Sequence, residues 1–452
     1  MNLKQYSVVM FALISGFILL GTVFSSQFIG LSGIGNEYDL KRILTITMMW
    51  LCSCSFCFVK KIEVLKLSNT SYKLFGIFLT LGIISALSSK HPFWGGIELA
   101  NTLLLFTIFV IFCSCVRTIQ FSVLLKGLYA FMLFFSVCIY LKYILFLIFS
   151  YADGQAFNIH GLVTGYVNVR FFNQLQVMII PILLLPFFDE PLKRFKRISI
   201  VIISLHWMVL LQTEARGSIL SLILSVTLVA YFLHIKQRRQ LFCAFMQCLL
   251  IGISFWLVFI IMLPYWLMDS TNFQIRTGSS GRIDLWLYVL NAIPEKILLG
   301  FGPMSFVWAE GKPLFNAHPH NSVMQILYEY GAVTCFVAIV WVSSFCYRRL
   351  VNLRHSNDIS SVPIIISVLS GLIYSLFSGV GVMPYAQLMF VFLLAVLISH
   401  EQKKLGELSI WWRVILCLLV SLMSCFMLMT YQHEELLPAL YPRIWINGLI
   451  SY

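Results

Sequence analysis

The stretch KGLYAFMLFFSVCIYLKYILFLIF, residues 126–149, decides the fold. Its only charges are Lys126 at the start and Lys142 within it. A helix crossing a bilayer core needs about 20 predominantly apolar residues, and this run supplies them. Runs of the same kind lie near 6–26, 42–59, 73–89, 97–116, 171–188, 198–213, 217–234, 241–267, 331–347, 361–379, 384–400 and 411–430, about thirteen in all. The first is long for a signal-peptide core and follows a weakly basic start, so it reads as a retained helix. The expected fold class is all-α: a polytopic membrane helix bundle of about 12–13 spans, forming a single integral membrane domain over residues 1–452.

Composition agrees with that reading. Of 452 residues, 60% are hydrophobic and 11% charged, against about 45–50% and about 25% in soluble domains. Too little polar surface remains to cover a soluble body of this size. A soluble enzyme, a disordered chain and a nucleic-acid-binding module are excluded. The formal charge of +13 follows instead from Lys and Arg gathered in cytoplasmic loops. With the N-terminus in the cytoplasm, the alternating loops place 20 of the 31 Lys and Arg residues inside, so the charge bias selects this orientation. The twelve cysteines fall in or beside apolar runs and read as small buried hydrophobes, with no disulfide framework. The Cys52–Cys57 cluster lacks a nearby His and sits within a span, so no metal site is expected there.

The unusual segments then fall on the outside. One is YADGQAFNIHGLVTGYVNV (151–169), leading to Arg170. Another is the short turn Gln212-Thr213-Glu214-Ala215-Arg216-Gly217. The largest is the loop 268–320. Within it Ser280-Gly281-Arg282 precedes an amphipathic stretch, Ile283 to Ile293, Pro294 permits a break, and GFGPMSF (300–306) reads as a turn. This outer loop is expected to be partly helical and to fold over the outer face of the bundle, because long structureless loops are uncommon.

Four side chains there bear on chemistry: Arg170, Arg216, Arg282 and His320. Guanidinium is always charged, and its planar fork suits phosphate. Several at an apolar boundary suit an anionic lipid headgroup such as a pyrophosphate. The competing reading for each is snorkelling, or an ion pair with Glu214 or Asp284. It is weakest for Arg216, held in a short turn where a charge near the apolar slab is costly. His320 is the candidate base, since imidazole titrates near neutrality and can take a proton from a sugar hydroxyl. Asn321 could orient that ring or a substrate oxygen. His318 and His320 could instead bind a metal, but they lack a nearby acidic or Cys partner.

No Asp or Glu lies well inside a span, whereas a proton- or sodium-coupled transporter usually carries one. Glu98 and Glu329 sit near span ends, and no phosphate-binding Gly-rich loop or nucleophile elbow is present. A flippase using an Arg-lined path is the competing reading from outside enzymology.

The segments SGRIDLW (280–286), LLGFGPMSF (298–306) and HPHNSVMQILYEYG (318–331), in that order, resemble the bacterial O-antigen ligase and O-antigen polymerase superfamily. ARGS (215–218) and VRFFNQ (169–174) resemble it too, so the likeness covers roughly 160–400. The resemblance implies a metal-independent, inverting glycosyltransferase of the bacterial inner membrane, active on the periplasmic face. Its donor would be an undecaprenyl-pyrophosphate-linked glycan. Its acceptor would be a sugar of lipid A-core for a ligase, or another lipid-linked glycan for a polymerase. Arg216 and Arg282 would hold the pyrophosphate, with Arg170 in the same cluster. His320 would activate the acceptor hydroxyl, with His318 a second candidate. The polyprenyl tail would lie among membrane lipid, and no soluble cofactor is implied.

Overall fold

The computed structural model describes residues 1–24, 37–60, 62–65, 68–155, 157, 159, 169–269, 278, 281–314, 316–355, 359–399 and 405–430. Most of the 151–169 segment, and residues 270–277, 279, 280 and 315 of the long loop, lie outside the described residues.

The helices are α1 (Leu3–Thr22), α2 (Glu37–Cys57), α3 (Asn69–Leu87), α4 (Pro92–Arg117), α5 (Phe121–Ala152), α6 (Arg170–Phe188), α7 (Lys196–Gln212), α8 (Arg216–Phe232), α9 (Ile235–Met268), α10 (Arg282–Ala292), α11 (Ser322–Leu353), α12 (Val362–Tyr374), α13 (Pro384–Ser399) and α14 (Ile410–Met429). Among the described residues, ten helices are long and apolar enough to cross a membrane, and α8, α12 and α13 are shorter apolar helices. These helices occupy the positions of the apolar runs in the sequence, and α10 is the additional helix inside the long loop. The protein is an all-α, multi-pass membrane bundle.

Contacts sort the connections onto two ends. At one end the Lys60 N–H donates to the Met1 carbonyl at 3.4 Å, and the Ser7 and Thr118 hydroxyls meet at 3.0 Å. There β1 (Glu63–Leu65) pairs antiparallel with β2 (Leu405–Glu407), Val64 opposite Gly406. At the other end the Ser85 hydroxyl donates to the carbonyls of Leu299 and Glu329, and the Ser322 N–H donates to the Ser375 carbonyl. This second end carries the long loop.

Helix α6 is the centre of the bundle, with every residue from Phe171 to Leu183 buried. Its polar side chains find partners at depth, where no water is available to satisfy them. The Gln176 amide nitrogen lies 3.2 Å from the Tyr140 hydroxyl and 3.1 Å from His206 Nδ1, and Ser136 Oγ lies 3.0 Å from His206 Nε2. Helices α8 and α12 approach through small side chains, with the Ser225 and Ser370 hydroxyls 2.6 Å apart. Close approach through small residues is how membrane helices gain packing without a hydrophobic driving force.

Helix α11 begins at Ser322, earlier than the apolar run beginning near 331, because its first turns lie along the loop-bearing end. It breaks direction at Gly331, whose φ of 80° and ψ of 174° are non-helical. The break exposes carbonyls that a straight helix would occupy. Phe301 and Gly302 N–H groups donate to the Tyr328 and Glu329 carbonyls at 2.9 Å, and the Ala332 N–H donates to the Ile297 carbonyl at 2.7 Å. The GFG and EYG stretches are therefore one structural unit. A Cβ on Gly331 would strike the Leu298 carbonyl in a conformation that L side chains rarely adopt. Gly331→Ala is expected to cost about 2 kcal/mol or more, lowering the thermal midpoint of the purified protein in detergent. An unchanged midpoint would mean that the kink relaxes freely.

Candidate active site

Three helices, two of them apolar helices of the bundle and one in the loop, start at the loop-bearing end with an arginine. Arg170 is the first residue of α6, Arg216 the first of α8, and Arg282 the first of α10 in the loop above them. The Arg216 guanidinium is exposed and donates to the Gly278 carbonyl at 3.0 Å, tying the loop down to α8. Arg282 is partly buried. Burial, and then the like charge of Arg216, lower its pKa, while Tyr374 at the end of α12 acts in the opposite sense.

His320 faces the same group. Its pKa is pushed from 6.5 down to about 3, by burial first and then by the charges of Arg282 and Arg170. The structure thus brings Arg170, Arg216, Arg282 and His320, distant in the chain, into one electrostatically coupled cluster. The imidazole is neutral at pH 7 and sits among guanidiniums, a field that favours a bound anion.

The HPHN turn explains how His320 is held. Its φ of 55° is left-handed, uncommon for a residue with a side chain and frequent at functional sites. Its N–H donates to His318 Nδ1 at 3.1 Å, so in this geometry the proton of the neutral His318 ring is on Nε2. The two rings pack edge to face with centroids 4.3 Å apart. The Pro319 carbonyl accepts from Trp286 Nε1 at 2.9 Å, binding α10 to the turn. Asn321 caps α11: its side-chain oxygen accepts from the Val323 and Met324 N–H groups at 2.9 and 3.1 Å. That leaves the amide nitrogen as the part of Asn321 able to meet a substrate oxygen. His318 itself is buried against Gly379, where a Cβ would come within 2.7 Å of its ring.

The segment after α12 was not singled out in the sequence. The apolar run read as 361–379 ends as helix at Tyr374, because Ser375 must turn to receive the Ser322 N–H and Gly379 must pass under His318. Gln174, one turn below Arg170 on α6, donates to the Ser378 hydroxyl at 3.0 Å and fixes this segment to the bundle centre. The sequence signal was SGVG (378–381), two glycines inside an apolar run. Tyr374 carried no signal of its own.

Lys312 braces the loop from inside. Its ammonium donates to the carbonyls of Phe306, Val307 and Asn316 at 3.0, 2.6 and 2.9 Å, and burial pulls its pKa down to about 8.

Residues 199–339 match the family model described as O-antigen ligase. A search of curated proteins found no match. The matched segment carries Arg216, Arg282 and His320; Arg170 precedes it. The segment from within α7 to within α11, with the folded loop and the HPHN turn, is thus what this multi-pass membrane protein shares in likeness with the O-antigen ligase family.

Proposed function

We propose that this protein is an O-antigen ligase of the bacterial inner membrane. It would transfer a glycan from undecaprenyl pyrophosphate to a sugar hydroxyl of lipid A-core on the periplasmic face. The observation that carries this reading is a neutral, partly buried imidazole under the charges of Arg282 and Arg170, with Arg216 acting in turn on Arg282.

The chemistry follows from those groups. The acceptor oxygen forms a bond to the anomeric carbon as the bond to the pyrophosphate oxygen breaks. The electron pair leaves with undecaprenyl pyrophosphate, whose growing charge the arginines stabilise from fixed positions. The hydroxyl proton passes to His320, which is neutral and able to accept it. In-line attack inverts the anomeric centre. Asn321 and His318 hold the geometry around the base, and Arg170 adds charge beside the donor phosphates.

Transfer in vitro from defined lipid-linked donor to either acceptor tests the assignment. A ligase glycosylates lipid A-core. A protein that ignores lipid A-core and joins two lipid-linked repeats is a polymerase, with the same site and a different acceptor. In cells, deletion of a ligase leaves lipid-linked polymer unattached, whereas deletion of a polymerase leaves core capped by a single repeat. Transport of lipid-linked sugar with no new glycosidic bond would overturn both readings in favour of a flippase. EDTA is expected to leave transfer unchanged, since arginines are assigned the charge stabilisation that a divalent ion supplies elsewhere. Loss of activity in EDTA, restored by a divalent ion, would contradict that assignment.

A further inference from the structure

Helix α10 is apolar on two opposite sides. Leu285 and Val289 are buried with Ile293, Phe306 and Tyr328 in a small core above the bundle. On the other side Ile283, Leu287 and Leu290 recur at helical spacing, each with about half its surface open. Ile297 and Leu298, just beyond the helix, extend the open surface, Leu298 being 63% exposed. The exposed polar residues Asp284 and Asn291 fall on one neighbouring strip. A helix in water keeps one apolar face, and a second continuous one marks another non-aqueous contact.

We propose that this face of α10 beds into the lipid leaflet at the loop-bearing end, making α10 an interfacial helix. Both of its ends are pinned at the boundary of the spans. Just ahead of its start the Gly278 carbonyl accepts from the guanidinium of Arg216, the first residue of α8, at 3.0 Å. Beyond its end the Ile297 carbonyl accepts from the Ala332 N–H, at the kink where α11 turns into its span. The next open residues of α11 are Val333 and Phe336, on the surface that meets lipid in a multi-pass bundle. Ile297, bonded to Ala332, thus brings the open apolar residues of the loop to the start of that surface. The arrangement is that of an amphipathic helix whose apolar side sinks about 5–10 Å into the boundary between headgroups and acyl chains. It holds Arg282 at the depth of lipid phosphates. The inference rests on exposure and on the pinned ends, not on the transferase reading.

The test uses the full-length protein in nanodiscs, with a fluorescent amino acid replacing Leu290 in one sample and Asn291 in another. Each is titrated with phosphatidylcholine bearing a nitroxide near the top of its acyl chain, and separately with aqueous iodide. The probe at 290 should be quenched by the nitroxide lipid about twofold more than the probe at 291, and iodide should show the reverse order. Replacement of Leu287 repeats the measurement if the 290 variant fails to fold. Iodide quenching at 290 equal to that at 291 would place the face in water and overturn the proposal. Quenching by neither agent, with cross-linking into dimers, would give the face to a second copy and overturn it too. No outcome depends on transfer activity, so the result stands apart from the fate of the proposed reaction.

Discussion

Arg282→Ala abolishes glycan transfer while the protein still inserts and purifies with an unchanged thermal midpoint. The expected fall in kcat/KM is about 10²–10³-fold or more, the scale seen when one fixed stabiliser of a developing negative charge is removed. Arg216→Ala should fall similarly, because its guanidinium both adds charge and ties the loop through the Gly278 carbonyl. The two losses should not add, since Arg282 and Arg216 act on one anion and perturb each other. Arg282→Lys should recover little: an ammonium restores the charge but not the planar two-pronged donation to phosphate. Arg282 also stands among like charges, so its removal relieves repulsion in the empty protein. A fold defect is therefore not expected, and a loss of activity reports on the donor. The check is steady-state transfer with purified lipid-linked donor beside a melting curve of the same sample. Full activity in Arg216→Ala or Arg282→Ala would end the pyrophosphate assignment.

The helix bundle was legible in the sequence because a bilayer imposes a length and a polarity that any reader can count. The order of the loop motifs was legible as well, and Arg216, Arg282 and His320 stood out as candidates by type and place. What the sequence hid was what holds them. Gly331 looked like the start of a span, yet it is a kink whose freed carbonyls bind Phe301 and Gly302. Ser375 to Gly379 looked like the end of a span, yet they form the seat beneath His318. In both places an apolar run continues through a backbone break, and hydropathy records only the run. The expected amphipathic character of Ile283 to Ile293 was half the answer. Leu285 and Val289 face a core, while Leu287 and Leu290 face outward. Periodicity finds a helix but cannot say that both sides of it avoid water.

His320→Ala should lower kcat by about 10²–10⁴-fold, with a smaller change in KM for the donor, because a base acts on the chemical step. The pH dependence gives a sharper reading. In the empty protein the imidazole is held near 3 by burial, Arg282 and Arg170. The folded pKa lies below the unfolded value of 6.5, so stability from this group is complete above 6.5 and is lost as the pH falls from there toward 3. A base of so low a pKa is also a weak one. Bound pyrophosphate sets negative charge against Arg282 and Arg170 and cancels two of the three causes, leaving burial. His320 should thus become more basic once the donor is seated, which makes the donor part of the activation of the acceptor. Since kcat/KM reports the free protein and kcat the complex, the acid limb of kcat should lie about one pH unit or more above that of kcat/KM. The His320→Ala protein should lose this difference, which separates the imidazole from titration of the pyrophosphate itself. Neutralising Arg170 by Arg170→Gln should raise both limbs, since its charge acts on the imidazole with or without the donor. Coincident limbs in the parent protein, or a difference that survives His320→Ala, would move the base to His318 or out of the HPHN turn.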